Sequence, residues 1–235
     1  MGRGKLKRKR KQAQKRDRRK GMGRTVRFVL ANSPVKYKGF KNKYAYQSNI
    51  YNLIYKNAVI ANVNFRASSI TKCNFRSATL IGVDFIYANL KKTSFKDATL
   101  KDVIFFGCKM KDVDFTNTIF DNVRFINTNF NESKNFTYND ETMKSYSKYP
   151  MLELSDELTK ILYDLSNDPG IYKYHTLHVN RKKVNMWIIN LLLQDYTQSQ
   201  LARGLRSILN RRQSNKEFFT VYSIRMHLNN YLKIC

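Results

Sequence analysis

The fold of this chain is decided by residues 73–95, which read CNFRSATLIGVDFIYANLKKTSF. A large apolar residue returns there at every fifth position, and the same spacing continues without a break from Tyr55 to Phe130. The large residues are Tyr55, Ile60, Phe65, Ile70, Phe75, Leu80, Phe85, Leu90, Phe95, Leu100, Phe105, Met110, Phe115, Phe120, Phe125 and Phe130. From Ile60 onward a small residue stands two positions earlier, and the residue directly before is often Asn or Asp. The chain therefore contains an internal five-residue repeat.

A five-residue period fits neither an α-helix nor an isolated strand, whose side chains repeat about every 3.6 and 2.0 residues. The pattern resembles the pentapeptide-repeat family, whose motif is a small residue, Asn or Asp, Leu or Phe, and two polar positions. The resemblance implies a β-solenoid, a right-handed quadrilateral β-helix with four pentapeptides in each coil and the large residues inside. Sixteen central residues would make about four coils. At about 4.8 Å between strands the stack would be roughly 19 Å tall.

If each coil has twenty residues, residues twenty apart stack into columns on the outer surface. One wall then carries a group of outward apolar residues, which we call the apolar stripe. Its members are Ile86, Tyr87, Ile104, Phe106 and Ile126. An outward apolar area of this size is expected to be covered. The sequence does not decide what covers the apolar stripe. The two candidates are the C-terminal helices and a second copy of the chain in a homodimer.

The next wall carries a group of basic residues, which we call the lysine face. Its members are Lys72, Lys91, Lys92, Lys109 and Lys111, with Arg76 and Lys96 on the wall that follows. Lysines held at the strand spacing form a surface suited to a row of phosphates. The alternative is an ordinary solvated face, and Asp112 and Glu132 dilute the charge at its lower end.

The first segment of the chain, residues 1–24, has 13 Lys/Arg against a single acid, Asp17, a net charge of +12. It has too few apolar residues to form a core, so we expect a disordered basic arm. Its predicted phosphate-binding residues are Lys7, Arg8, Lys9, Arg10, Lys11, Arg18, Arg19 and Lys20. Such an arm gains affinity for nucleic acid by releasing counterions. A solubility or targeting tail is the alternative.

Residues 25–50 mix tyrosines with lysines and form a transition. Tyrosines among lysines can stack on bases beside a phosphate-binding surface. The sequence favours a simpler role for this segment, in which it covers the open end of the solenoid. With this cap included, the predicted solenoid domain spans residues 25–149.

The last segment, residues 150–235, has a helical pattern. Ser155 precedes two acids, as at a helix N-terminus, and the apolar residues from Val184 to Leu192 recur at helical spacing. Residues 197–200 and 214–217 both fit a capping box at the start of a helix. We expect a bundle of about four helices, in which Arg203 and Arg206 add to a nucleic-acid-binding surface.

The chain has no sequence motif of a catalytic, metal or cofactor site. It lacks a Gly-rich phosphate loop and the common hydrolase and zinc-protease motifs, so we expect neither an enzyme nor a cofactor. The three cysteines have no CxxC spacing, and Cys73 and Cys108 fall in the small slots of the repeat. No apolar run is long enough to span a membrane. These features favour a reducing compartment and a cytoplasmic, bacterial protein.

The net charge of +27 over 235 residues narrows the partner class. So much positive charge favours a polyanion, and nucleic acid is the leading expectation. The first alternative comes from the family, because some of its members are acidic rods that mimic duplex DNA and occupy the DNA-binding surface of gyrase. A basic solenoid of about four coils departs from that pattern. The second alternative is a protein scaffold that docks through the apolar stripe.

Overall fold

The structure is a computed structural model and describes residues 27–29, 37–210 and 217–233. The predicted disordered arm, residues 1–24, lies outside the described residues. Residues 37–146 form a β-solenoid of about five turns, followed by helices. This architecture confirms the fold class that the family resemblance implies for the repeat and that the helical pattern predicts for the last segment.

Within residues 39–146 the strands of successive coils pair in parallel with a shift of twenty residues, as Ile60 does with Leu80 and Phe85 with Phe105. The first strand, residues 27–29, pairs with residues 49–51 at a shift of 22. The solenoid strands are β1 (Arg27–Val29), β2 (Gly39–Tyr44), β3 (Asn49–Tyr51), β4 (Val59–Asn64), β5 (Ser69–Thr71), β6 (Thr79–Ile86), β7 (Thr99–Lys101), β8 (Ile104–Phe106), β9 (Ile119–Asp121), β10 (Val123–Ile126) and β11 (Met143–Tyr146). Isolated bridges such as Asn74 with Ser94 connect the coils where no longer strand forms.

The solenoid has about five turns instead of the predicted four, because its coils begin before Tyr55. Strand β2 and the first two residues of β3 lie within residues 25–50, the segment that the sequence favours as a cap. Phe40 pairs in register with Ile60, and Ile50 is buried in the core. Ala45 stands at the central position between them and packs against that core. A small residue at a central position breaks the pattern of large residues, so the first coil is hidden in the sequence.

Two stacks of aromatic rings fill the solenoid. One consists of Tyr55, Phe75, Phe95 and Phe115, with ring centroids 4.8, 5.2 and 5.5 Å apart. The other consists of Phe65, Phe85, Phe105 and Phe125, with centroids 5.3, 5.1 and 5.1 Å apart. The stacks meet edge to face, as at Phe95 and Phe105. Each buried ring contributes about 2–3 kcal/mol through removal of apolar surface from water.

The corners of the coils require a left-handed backbone at the second residue after each central one. The Asn and Asp residues with this conformation along the coils are Asn42, Asn52, Asn57, Asn62, Asp97, Asp102, Asp112, Asn117, Asn122 and Asn127. Asn and Asp adopt this conformation more readily than most other side chains. They also bond from coil to coil, since Asn62 Nδ2 donates to Asn42 Oδ1 at 2.8 Å. One of the two polar positions of the repeat is therefore selected by backbone geometry.

The position two residues before each large central residue points inward and is occupied by a small side chain. At several of these positions the side chain can donate a hydrogen bond to the backbone of the preceding coil. Thr93 Oγ1 donates to the carbonyl of Ile70 at 2.8 Å, and Thr128 Oγ1 donates to that of Phe105 at 2.9 Å. Cys108 Sγ takes the same place and lies 3.0 Å from the carbonyl oxygen of Phe85. Small polar side chains are therefore satisfied inside an apolar core.

After the solenoid, five helices and a short hairpin follow among the described residues. They are α1 (Asp156–Asn167), α2 (Pro169–Tyr172), β12 (His178–Asn180), β13 (Lys183–Val184), α3 (Met186–Leu192), α4 (Gln198–Asn210) and α5 (Val221–Leu232). Ser155 caps α1 by accepting from the N–H of Leu158. Thr197 and Gln200 exchange hydrogen bonds of 2.9 and 3.2 Å at the start of α4, as the capping box predicts.

The start of the last helix differs from the prediction. Residues 211–216 lie outside the described residues, so most of the predicted box at 214–217 cannot be compared. Glu217 to Phe219 are not helical, and α5 begins at Val221 behind a different capping box, formed by Thr220 and Ser223. Phe218, which directly follows the predicted box, therefore precedes the helix.

The helices pack on one wall of the solenoid. Four members of the apolar stripe, Ile86, Ile104, Phe106 and Ile126, are buried in one cluster with helical residues such as Leu162 and Ile188. Phe106 meets the ring of Trp187 edge to face, with centroids 6.3 Å apart. Arg225 of α5 adds ion pairs to Asp102 of the solenoid and Asp195 of the helices, at 3.5 and 2.9 Å. The apolar stripe is thus continuous with the helical core.

Candidate functional site

The lysine face lies on the wall that follows the helix-covered one along the chain. Lys91 and Lys111 stack in the column below Thr71, and Lys72 and Lys92 occupy the adjacent corner column. The backbone of each coil is fixed to the next, since the N–H of Lys72 donates to the carbonyl of Lys91 and that of Lys92 to Lys111, both at 3.0 Å. The solenoid therefore holds these lysines on rigid backbone.

The five lysines of the lysine face keep their charge available to a ligand. All five are exposed, and among the residues that the structure describes none of them forms an ion pair. Lys72 is the one with a side-chain partner in that part of the chain. Its Nζ donates to the hydroxyl of Tyr51 at 2.8 Å and lies 5.2 Å from the centre of that ring.

One of the two acids at the lower end of the lysine face is paired. Asp112 pairs with Lys134 at 3.3 Å, whereas Glu132 is exposed and forms no ion pair among the described residues. On the next wall Arg76 pairs with Asp97 at 3.1 Å, so its charge is partly neutralised. The lysine face therefore carries five unpaired lysines with one unpaired acid at its lower end.

The other predicted nucleic-acid-binding residues fall into two groups. Lys7, Arg8, Lys9, Arg10, Lys11, Arg18, Arg19 and Lys20 are outside the described residues. Arg203 and Arg206 are exposed on α4, which packs against α1 and α5. Arg206 pairs with Glu157 at 3.0 Å. The structure therefore brings together Lys72, Lys91, Lys92 and Lys111, together with Lys109, on one wall of the solenoid, and it places the two arginines on a helix.

The apolar stripe divides into two parts. Ile86, Ile104, Phe106 and Ile126 are buried under the helices, whereas 51% of the Tyr87 surface is exposed. Tyr87 stands at the corner between the helix-covered wall and the lysine face, and its ring centroid lies 5.0 Å from that of Phe106.

The sequence does not predict the burial of two polar residues beside the apolar stripe. Asn64 and Asp84 are adjacent partners on neighbouring strands and are fully buried. Burial raises the pKa of Asp84 to about 7, although a hydrogen bond from the Val221 N–H acts in the opposite direction. In sequence they resemble outward residues such as Asn74 and Asn89, so no local signal shows that a helix covers them.

The buried thiols and histidines have structural partners. Burial raises the pKa of Cys73 to about 11 and that of Cys108 to about 12, the reverse of what a nucleophilic thiol requires. His178 Nε2 lies 2.9 Å from the carbonyl oxygen of Leu162. Within residues 37–210 and 217–233, no group of three or more His, Cys, Asp or Glu residues is arranged to hold a metal ion.

None of the helices in the described ranges combines the length and apolar character needed to cross a bilayer.

The comparisons with known proteins agree with the repeat. The family model for Pentapeptide repeats matches eight copies, over residues 58–97 and 108–137. The intervening residues include Ile104 and Phe106, where apolar side chains replace the outward polar residues of the motif. A search of curated proteins gives no significant match.

Several solved structures are similar to parts of this chain. The pentapeptide repeat protein Rfr23 of the cyanobacterium Cyanothece 51142 is 20% identical, covering 45% of this chain and 68% of that protein, with a TM-score of 0.32. A pentapeptide repeat protein of the Arabidopsis thaliana thylakoid lumen is 20% identical, covering 47% and 71%, with a TM-score of 0.33. QnrB1, a plasmid-mediated fluoroquinolone resistance protein, is 10% identical, covering 52% and 88%, with a TM-score of 0.15.

Both matched segments, 58–97 and 108–137, lie inside the described solenoid, and each begins at the small residue of a repeat, Ala58 and Cys108. This chain therefore contains pentapeptide repeats, and the coils that they form carry the lysine face.

Proposed function

We propose that this protein is a non-catalytic binding protein whose ligand is a nucleic acid, held through the lysine face and the basic N-terminal residues. The observation that supports the proposal is the set of five exposed lysines, free of ion pairs among the described residues, on a wall that the helices leave open. Lysines on fixed backbone lose little backbone freedom when they meet phosphates, so their attraction adds to affinity.

The charge of the whole solenoid supports the same ligand class. Residues 37–149 contain 17 Lys/Arg and 9 Asp/Glu, a net charge of +8. A positive rod attracts phosphates over a distance of about 8–10 Å at ordinary ionic strength. The contacts are to the backbone of the nucleic acid, so binding is expected to be largely independent of base sequence.

The test is a salt series with full-length protein and fluorescein-labelled duplex DNA, read by anisotropy. The variant is Lys91→Gln/Lys92→Gln/Lys111→Gln. Each phosphate contact contributes about 0.9 to the slope of log K against log salt for duplex DNA. We expect the triple variant to bind more weakly and to lose up to about 2.7 from that slope.

The matched control is Lys160→Gln/Lys182→Gln/Lys183→Gln, which removes the same charge from exposed lysines outside the lysine face that form no ion pair among the described residues. We expect its slope to stay close to that of the unaltered protein. An equal loss of slope in both triple variants would show that total charge, and no particular face, determines binding. No measurable binding of either duplex or single-stranded DNA by the unaltered protein near physiological salt would refute the proposal.

Two alternatives remain from the sequence. A topoisomerase-binding protein that mimics duplex DNA requires a negative rod, and the net positive charge of residues 37–149 disfavours mimicry. A protein scaffold docking through the whole apolar stripe is disfavoured because the chain's own helices cover four of its five members. The salt series discriminates both from the nucleic-acid proposal, since neither predicts DNA binding with a steep salt dependence.

A further inference from the structure

Tyr87 is held at the surface by a residue of the next coil. Its backbone is left-handed, with φ of 52°, and its ring lies against Gly107. A Cβ added to Gly107 would come 2.6 Å from Cδ1 of Tyr87, so a residue larger than glycine would displace the ring. The missing side chain at position 107 makes the space in which the Tyr87 ring lies.

Gly82 provides a comparison at another corner. A Cβ there would meet the Tyr222 side chain at 2.3 Å, and Tyr222 belongs to the docked helix α5. Glycine at these two corners thus admits a tyrosine in both cases. Tyr222 serves the packing of helix on solenoid, whereas half of the Tyr87 surface remains open to solvent.

A series of four contacting rings begins at Tyr87 and ends at a second exposed tyrosine. Tyr149, whose surface is 49% exposed, meets Trp187 edge to face at 5.6 Å between centroids. Trp187 contacts Phe106 at 6.3 Å, and Phe106 contacts Tyr87 at 5.0 Å. The two middle rings are buried, so they support the exposed tyrosines from below.

Exposed cations flank both tyrosines. Lys109 follows Gly107 by two residues and forms a bridge with Asn89, which places it at the Tyr87 corner of the lysine face. Lys148 directly precedes Tyr149 in the chain. Both lysines are exposed and, in the part of the chain that the structure describes, neither forms an ion pair.

We propose that Tyr87 and Tyr149 form a stacking site for the unpaired bases of a single-stranded nucleic acid, whose phosphates lie along the lysine face. This inference rests on the proposed function and adds the strand state of the ligand. Aromatic rings beside a basic groove bind single strands because each unpaired base offers a free π-face. In a duplex the bases are stacked on one another, so these tyrosines have no base face to meet.

The test compares a labelled oligothymidylate with a labelled duplex by anisotropy, using the full-length protein. The variants are Tyr87→Asn and Tyr149→Ala, alone and combined. Asn is chosen at 87 because Asn127 holds the same left-handed corner two coils later. We expect each variant to lose about tenfold in affinity for the single strand, the effect of one lost base stack. Duplex affinity and both salt slopes should change little, because no phosphate contact is removed.

Two further measurements make the test specific. Tyr163→Ala removes a ring that is 66% exposed on α1 and does not belong to the series of ring contacts from Tyr87 to Tyr149, so it should leave both affinities unchanged. Trp187 is the single tryptophan of the chain and contacts Tyr149. Its fluorescence should therefore be quenched when oligothymidylate binds and not when the duplex binds.

The outcomes separate this inference from the proposed function. If the combined tyrosine variant binds oligothymidylate as tightly as the unaltered protein, the stacking site is refuted, while the lysine variants still test the polyanion. A protein that binds the duplex alone also refutes the stacking site. If neither nucleic acid binds, both proposals fail. Circular dichroism of each variant confirms that a loss of affinity is not a loss of fold.

Discussion

The carboxylate of Asp84 accepts a hydrogen bond of 2.9 Å from the backbone N–H of Val221, the first residue of helix α5. The acid comes from the solenoid and the donor from the helices, so this bond connects the two parts in their buried contact. Beside it, Asn64 Nδ2 donates to the carbonyl of Phe219 at 2.8 Å. The Oδ1 atoms of Asn64 and Asp84 have no hydrogen-bond partner among the described residues.

The position of Asp84 predicts that stability falls as pH rises. Burial raises its pKa from 3.8 to about 7 in the folded protein. Between these values the folded state holds a proton that the unfolded state has released, so this group contributes stability at low pH and loses it as pH approaches 7. We expect a loss on the order of 2 kcal/mol between pH 5 and pH 7. Thermal unfolding across this range measures it.

Asp84→Asn gives the sharper form of the pH prediction. The amide can accept from Val221 through its oxygen and donate to the unpaired oxygen of Asn64, and it does not ionise. We expect this variant to match the unaltered protein near pH 5 and to exceed its stability above pH 7. Glu132→Gln, at an exposed acid, should leave the pH profile unchanged. The same pH slope in Asp84→Asn as in the unaltered protein would contradict the assignment.

A charge in the apolar stripe should detach the helices. Phe106 is buried against Trp187, so Phe106→Asp places a carboxylate in an apolar contact and removes a ring. We expect a loss of about 3–5 kcal/mol and a red shift of Trp187 emission. The matched control is Ile119→Asp on strand β9, where the side chain is 61% exposed and little change is expected. Unshifted emission in Phe106→Asp would show that the helices dock elsewhere.

The aromatic stacks predict a large core effect at Phe95. Its ring is fully buried between Phe75 and Phe115. Phe95→Ala should lower the free energy of unfolding by about 3–5 kcal/mol, because it leaves a cavity that the rigid coils cannot close. Chemical unfolding measures this loss, and Phe95→Leu should recover part of it. A near-neutral Phe95→Ala would mean that the repeat register is wrong.

The basic N-terminal segment predicts a salt effect separate from that of the lysine face. Removing residues 1–24 takes away 13 Lys/Arg and one Asp. We expect weaker binding to duplex DNA and a shallower salt slope, because fewer counterions are released. Combined with the triple lysine variant, the deletion should lower the slope further, since the two sites contact different phosphates. A slope unchanged by the deletion would remove the segment from the binding surface.

Much of the solenoid is predictable because its period is set by the inside of the coil. Phe75, Phe95 and the residues between them must face one interior, so spacing alone determines the register. The first coil is missed because Ala45 interrupts the large residues. The left-handed corners are visible only as a surplus of Asn and Asp, which the sequence also places at the position before the central residue.

The contact between helices and solenoid is harder to read from sequence. Outward apolar residues such as Phe106 predict that their wall is covered, but the sequence does not identify the segment that covers it. Asn64 and Asp84 look like surface residues, because only the arrival of helix α5 buries them. Tyr87 belongs to the apolar stripe by position, yet its corner geometry turns the ring toward solvent. Each of these depends on contacts between residues far apart in the chain.

The twenty-residue shift between paired strands makes the coil a module of fixed length. Duplicating one whole coil in the gene would leave every ring stack and corner in phase, since each coil contacts only its neighbours. The rod would grow by about 4.8 Å, and every column on its surface would gain one residue. An insertion whose length is not a multiple of twenty residues would rotate the following walls and separate the helices from their wall. The length of the binding surface can thus evolve in steps of one whole coil.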